Sequence, residues 1–410
     1  MPSFSANMKG PVEKLFDLVQ DGFKPFLRGK GVIESDFQKR GVKDYRLDSC
    51  LTIEQFEKIV EFNIDNNIKR AILGLGSSGI GKSAVIKQIT ERKNMGLIDL
   101  RLLLYTETDL KGIPFPNEDK TRTKWLPNDI LPNVERDGER GILLVEELTS
   151  APKRVQAAAY QLIQDRRLGE YILPEGWFIV ALGNREDDNG VFVQMPSPLA
   201  NRFEIHDIGY DLDIWKKNFA YKTGVNPFVI SYLNFKPGAL HNFVPDSTSM
   251  IFASPRTWHA VSDILNTNVF DFDDDILRYK IEGNVGEIEC NSFLQFCKLK
   301  DELVSVDDIF SGVDVEIPTE HDKIYLLIGS IISRLEDLRQ INDIDDVDEE
   351  LISKFENAIN FLLKLKPEFT VLGLKDLVSL NKKLVKGLFI EELDNDDIID
   401  FITENDYIFE

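Results

Sequence analysis

Residues 76–83 read Gly76-Ser77-Ser78-Gly79-Ile80-Gly81-Lys82-Ser83, a glycine, four residues, then Gly-Lys-Ser. That spacing suits a phosphate cradle. The glycines let backbone amides turn inward onto phosphate oxygens. A helix opening near Lys82 would aim its positive end at the same group. Lys82 has the reach for β- and γ-phosphates, the Ser83 hydroxyl suits Mg²⁺, and Ala84 closes the nucleotide-binding stretch. A nucleoside triphosphate and Mg²⁺ are the expected ligands, and the loop alone leaves a kinase, a GTPase and a transporter subunit open.

Such a loop needs acids on a neighbouring strand. Gly141-Ile142-Leu143-Leu144-Val145 is a continuous apolar run that ends in Glu146-Glu147. A buried parallel strand would deliver both acids to the sheet's carboxyl edge, where ligands of such sheets bind. Glu146 is expected to hold the metal through its water shell, and Glu147 to orient and polarise the attacking water. Asn184 ends a further strand in Leu182-Gly183-Asn184-Arg185. Its amide could hold that water or the γ-phosphate.

These residues need a scaffold. Ala71-Ile72-Leu73-Gly74-Leu75 has a short buried-strand pattern, and residues 82–91 suit a helix. Residues 97–102, 141–145 and 177–182 read as further strands, with a helix over 151–167 that has Pro152 in its first turn. Thr52 is expected to N-cap a helix reaching about Asn66, with Gln55 completing a capping box. Strands alternating with helices predict an α/β fold, a doubly wound parallel sheet. Beyond about residue 210 the period turns helical, with segments at 211–221, 227–234, 257–265, 291–299, 323–338 and 349–365. A further helix is expected over 12–19. Acidic runs at 343–350 and 391–397 read as solvated loops or helix starts.

The bulk properties narrow the setting. The chain has 410 residues, enough for two or three domains. Its net charge is −22. Binding a phosphate backbone needs Lys and Arg, so this charge argues against a nucleic-acid partner. No run is long and apolar enough for membrane insertion, and Met1–Ser5 does not open a signal peptide. Three cysteines without a paired motif suit a reduced compartment, and a cytoplasmic location is expected. Four scattered histidines offer no His/Cys metal site.

The order of motifs resembles a known family. After Gly76–Ser83 come Val145-Glu146-Glu147-Leu148-Thr149-Ser150-Ala151-Pro152, then Gln164-Asp165-Arg166-Arg167-Leu168-Gly169-Glu170-Tyr171, then Gly183-Asn184-Arg185-Glu186-Asp187-Asp188. Pro198-Leu199-Ala200-Asn201-Arg202-Phe203 and Ser254-Pro255-Arg256-Thr257-Trp258 follow. This resembles the MoxR-like AAA+ ATPases of bacteria and their phages, over residues 50–300. The resemblance implies an N-terminal segment to residue 50, an AAA+ core over 51–210, a helical lid over 211–300 and an acidic helical extension over 301–410. It makes Asn184 similar to sensor 1, Arg202 to the arginine finger that enters a neighbour's ATP site, and Arg256 to sensor 2. Arg185, Arg166 and Arg167 stand as rival fingers.

The resemblance also implies a ring oligomer, commonly a hexamer, that remodels a protein client beside a partner with a von Willebrand factor A domain. One departure is Glu146, where the family usually has Asp. The longer acid keeps metal binding but changes its geometry, which points to slower hydrolysis. A nucleic-acid-associated motor and a slow nucleotide-operated assembly switch are the alternatives.

Overall fold

The computed structural model describes residues 50–188, 193–244, 249–267, 269, 271–339, 341, 343–381, 383–385 and 388. The expected helix at 12–19 and the acidic run at 391–397 lie outside them. The described residues fall into two compact units. One lies within Lys43–Trp215 and His241–Thr257, the other within Lys216–Leu240 and Trp258–Glu410.

The first unit is built on five parallel strands: β1 (Ala71–Leu75), β2 (Gly96–Arg101), β5 (Arg140–Glu146), β8 (Gly176–Gly183) and β9 (Phe203–Asp207). Their spatial order is β2-β5-β8-β1-β9. Two antiparallel hairpins interrupt the sequence, β3 (Ile113–Pro116) with β4 (Thr123–Leu126) and β6 (Arg167–Leu168) with β7 (Tyr171–Ile172). Alternation along the strands sorts the core into two layers. Leu143 and Val145 of β5 face helix α3 (Lys153–Asp165) through Val155, Ala159 and Leu162. Ile142 and Leu144 face α1 (Ile53–Asp65) and α2 (Lys82–Arg92) through Phe56, Val60, Val85 and Ile89. The sheet is thus doubly wound, the α/β class expected. Every residue from Gly141 to Val145 is buried, which explains the unbroken apolar run.

The capping box forms as expected. Thr52 Oγ1 accepts from the Gln55 amide at 3.1 Å, and Gln55 Oε1 accepts from the Thr52 amide at 2.9 Å. Pro152 is the N-cap of α3, just outside the first turn, because its ψ of 145° is extended. Strand β9 had no sequence expectation. Its pattern, Phe-Glu-Ile-His-Asp, is that of an edge strand with one face exposed.

The second unit is helical, the character expected beyond residue 210. It contains α4 (Pro227–Phe235), most of α5 (Pro255–Leu265), α6 (Asp275–Val285), α7 (Glu287–Lys298), α8 (His321–Arg334), α9 (Glu349–Leu363) and α10 (Pro367–Leu380). Gly329 lets α8 approach α4 closely: a Cβ there would lie 1.7 Å from Ser231 Oγ. Lys216 Nζ donates to Asn234 Oδ1 at 2.8 Å and to Asp376 Oδ1 at 3.0 Å, tying α10 to α4 through a buried ion pair. No helix among the described residues is long and apolar enough to cross a membrane.

Candidate functional site

The 76–83 loop leaves the carboxyl end of β1 and runs into α2, the strand–loop–helix context a phosphate cradle needs. Gly79 and Gly81 have φ of +82° and +97°, where a side chain would be strained. A Cβ on Gly79 would also lie 2.8 Å from Ser254 Oγ. Gly81 is the N-cap of α2 and supplies no side-chain cap, so the first amides of that helix stay open to an anion. Ser83 and Ala84 are exposed in that first turn.

Lys82 folds back along the loop and donates to Gly76 O at 2.6 Å and Ser77 O at 2.8 Å. Burial lowers its pKa to about 8; Asp188 and Glu147 oppose the fall, and Arg185 and Arg256 deepen it. The lysine is therefore set among the charges that a triphosphate would rearrange.

Strand order fixes what meets the loop. β8 lies between β1 and β5, so the three carboxyl ends stand side by side. Glu146 ends β5. Its Oε2 is 3.5 Å from Arg101 Nε, and its Oε1 is buried without a hydrogen-bond partner among the described residues. An orphaned carboxylate oxygen at the carboxyl end of β5 and the exposed Ser83 hydroxyl at the start of α2 are oxygen donors of the kind that Mg²⁺ takes. Among the described residues no group of three His, Cys, Asp or Glu side chains could hold a metal by itself.

Glu147 follows with φ of +58°, a left-handed backbone that costs a side-chain-bearing residue energy. Its turn is held by amides of Ser150 and Ala151, which both donate to Glu147 O at 3.0 Å, and by Ser150 Oγ, which donates to Glu147 Oε2 at 3.0 Å. Buried Gln156 locks the same turn from α3, donating to Leu148 O and Ala151 O at 3.1 Å each. Asn184 stands one residue past the end of β8, half-buried.

The structure brings the loop, Glu146, Glu147, Asn184 and Arg256 to one edge. Arg256 lies exposed in the first turn of α5, and its Cβ is 3.6 Å from where a Gly79 Cβ would be. Arg202 is elsewhere. Ala71 pairs with Phe203 and Leu75 with Asp207, so Arg202 sits by the start of β1 at the sheet's amino edge. At about 3.3 Å per residue, the length of β1 separates it from its own loop by roughly 16 Å. Its guanidinium packs over Tyr160 at 5.0 Å and donates to Gln164 Oε1 at 2.6 Å. Of the rival fingers, Arg185 is buried against Ile208 O and Arg166 donates to Pro174 O and Trp177 O; Arg167 is exposed.

Sequence reasoning missed three groups. Ser77 Oγ donates to Asp188 Oδ1 at 2.7 Å, and the Arg185 amide donates to Asp188 Oδ2 at 2.9 Å, so the loop after β8 braces the 76–83 loop. His241 is buried beside Ser78, stacked on Tyr210 at 4.8 Å, and burial lowers its pKa to about 4. Thr149 contacts the Asn184 backbone. Asp188 lies in a motif already singled out; His241 comes from more than 150 residues away and had no local signal.

No protein-family model matches the sequence, and no curated protein matches it. Solved structures similar to this chain include two mutants of Thermotoga maritima RuvB. One has 15% identity over 63% of this chain and 73% of its own, and the other 16% over 64% and 83%; each has a TM-score of 0.34. NtrX from Brucella abortus in complex with ATP is similar at 16% identity over 84% of this chain and 72% of its own, also with a TM-score of 0.34.

Proposed function

We propose that this chain is a MoxR-like AAA+ ATPase that hydrolyses ATP between the subunits of a ring, commonly a hexamer, to remodel or assemble a protein client. A partner with a von Willebrand factor A domain would direct it to that client. The observation that carries the reading is the side-by-side arrangement of the phosphate loop, Asn184 and Glu146-Glu147 at the carboxyl ends of β1, β8 and β5. In this reading residues 51–210 hold the nucleotide, 211–300 form a lid and 301–410 an extension.

The residues divide the chemistry. The α2 amides and the Lys82 ammonium bind the β- and γ-phosphates. Ser83 and Glu146 would hold Mg²⁺, which neutralises phosphate charge when bound. Glu147 accepts a hydrogen bond from the attacking water and polarises it, while Asn184 fixes that water's direction. Arg256 reaches the γ-phosphate from the start of α5. Arg202 would serve a neighbour's site, as its place at the opposite edge of the sheet supports. The Glu146–Arg101 pair favours a second reading, a slow nucleotide-operated switch, because Arg101 competes for the carboxylate that the metal needs.

Glu147→Gln tests the reading. ATP affinity should stay within about twofold while turnover falls roughly 10²–10⁴-fold. Unchanged steady turnover would remove Glu147 from this role.

A further inference from the structure

We propose that Thr149 is a positioning residue that couples the water-polarising Glu147 to Asn184. Thr149 is buried, 2% exposed, two residues beyond Glu147 in the turn that gives Glu147 its left-handed backbone. Its hydroxyl makes both a donated and an accepted hydrogen bond to one neighbour. Oγ1 accepts from the Asn184 amide at 3.0 Å and donates to Asn184 O at 3.0 Å. One side chain thus grips both backbone groups of a residue 35 positions away.

The surroundings leave the grip little play. A Cβ on Gly183 would lie 2.7 Å from Thr149 Oγ1 and 2.9 Å from its Cγ2, so only glycine allows this approach. Leu148 N donates to Leu182 O at 3.2 Å, which stitches the turn to β8, and Thr149 O accepts from Val193 N at 2.7 Å, which ties it to the segment before Ser197. The same strand end reaches the phosphate loop, where Gly76 N donates to Gly183 O at 3.2 Å.

The consequence is mechanical. β5 and β8 are paired along their length, but their ladder ends at Val145 opposite Ala181. Past that point the Leu148 N to Leu182 O bond still holds the Glu147 turn to β8, but Asn184 lies beyond the strand's last residue. Thr149 supplies the link that reaches Asn184 itself. Any shift of the Glu147 turn is carried to Asn184, so the two groups address one water together.

The role rests on ATP hydrolysis as proposed above, and Thr149→Val with Thr149→Ser tests it. Valine keeps the shape and loses the hydroxyl; serine keeps the hydroxyl. In Thr149→Val, kcat should fall roughly tenfold to 10²-fold, the range for a small misplacement of reacting groups, with ATP Kd unchanged. Thr149→Ser should recover most of kcat. Hydrogen exchange at the Asn184 amide should quicken about fivefold to tenfold in the valine variant and not in the serine variant. Unaltered exchange in Thr149→Val overturns the proposal whatever the turnover. So does a kcat within about twofold of the parent, or loss of ATP binding in step with kcat. A parent chain that binds ATP without hydrolysing it would overturn the functional reading itself and the catalytic coupling with it.

Discussion

Lys82→Met should stabilise this protein while destroying its site. Methionine keeps the unbranched stem and removes the ammonium. Burial holds the Lys82 pKa down from 10.5 to about 8 in the folded chain. At 1.36 kcal/mol per unit, the charged lysine costs the fold about 3 kcal/mol at neutral pH. The two hydrogen bonds to Gly76 O and Ser77 O vanish in the variant and together offset about 2 kcal/mol, leaving a gain of about 1 kcal/mol. The pH dependence has a definite sign. Below about pH 8 both folded and unfolded chains carry the proton, and the cost is present in full. Between about 8 and 10.5 only the unfolded chain keeps it, so the parent gains stability as pH rises, and the advantage of the variant vanishes and then reverses. Urea unfolding followed by the fluorescence of Trp177, which is buried in this unit, with Trp125, Trp215 and Trp258 replaced by Phe, measures the difference. A variant less stable than its parent near neutral pH, or an equal difference near pH 7 and near pH 10.5, would refute the argument. ATP binding should be lost in the variant throughout.

Two further outcomes are expected. Asp376→Ala removes the carboxylate of the buried Lys216–Asp376 pair and should cost the helical unit about 3–5 kcal/mol, while a Lys216→Met, Asp376→Leu double variant should recover most of it. Differential scanning calorimetry decides, and a single variant that melts with its parent would count against the ion pair. Arg202→Ala should bind ATP normally yet lose roughly 10³-fold in turnover, and mixing it with Glu147→Gln subunits should restore part of the activity. Activity in a chain that sizing shows to be monomeric under every nucleotide condition would end the assignment to a neighbour's site.

Much of the core was legible because its signals are local. The Gly76–Ser83 spacing, the capping box at Thr52 and Gln55, and the unbroken apolar run Gly141–Val145 each record a requirement of a few adjacent residues. The acidic run at 343–350 was legible in the same way: Asp348 caps α9, its side chain accepting from Leu351 N at 2.7 Å. Where periodicity was weak, expectation failed. β9 alternates over only five residues at the sheet's edge, and α10 lies beyond the last helix expected.

What the sequence determined by itself was a glycine-rich strand–loop–helix turn at 76–83 and two acids, each placed at the end of a buried strand. It could not determine which strands are neighbours. Only the tertiary structure set β8 between β1 and β5, drew Asn184 to the loop's edge and left Arg202 at the other. Only tertiary packing brought Ser254 against Gly79, Asp188 under Ser77 and Thr149 onto Asn184. The physical reason is that strand propensity is local, whereas strand order depends on crossover connections and packing between segments far apart in the chain. Contacts across more than thirty residues leave no period in the chain.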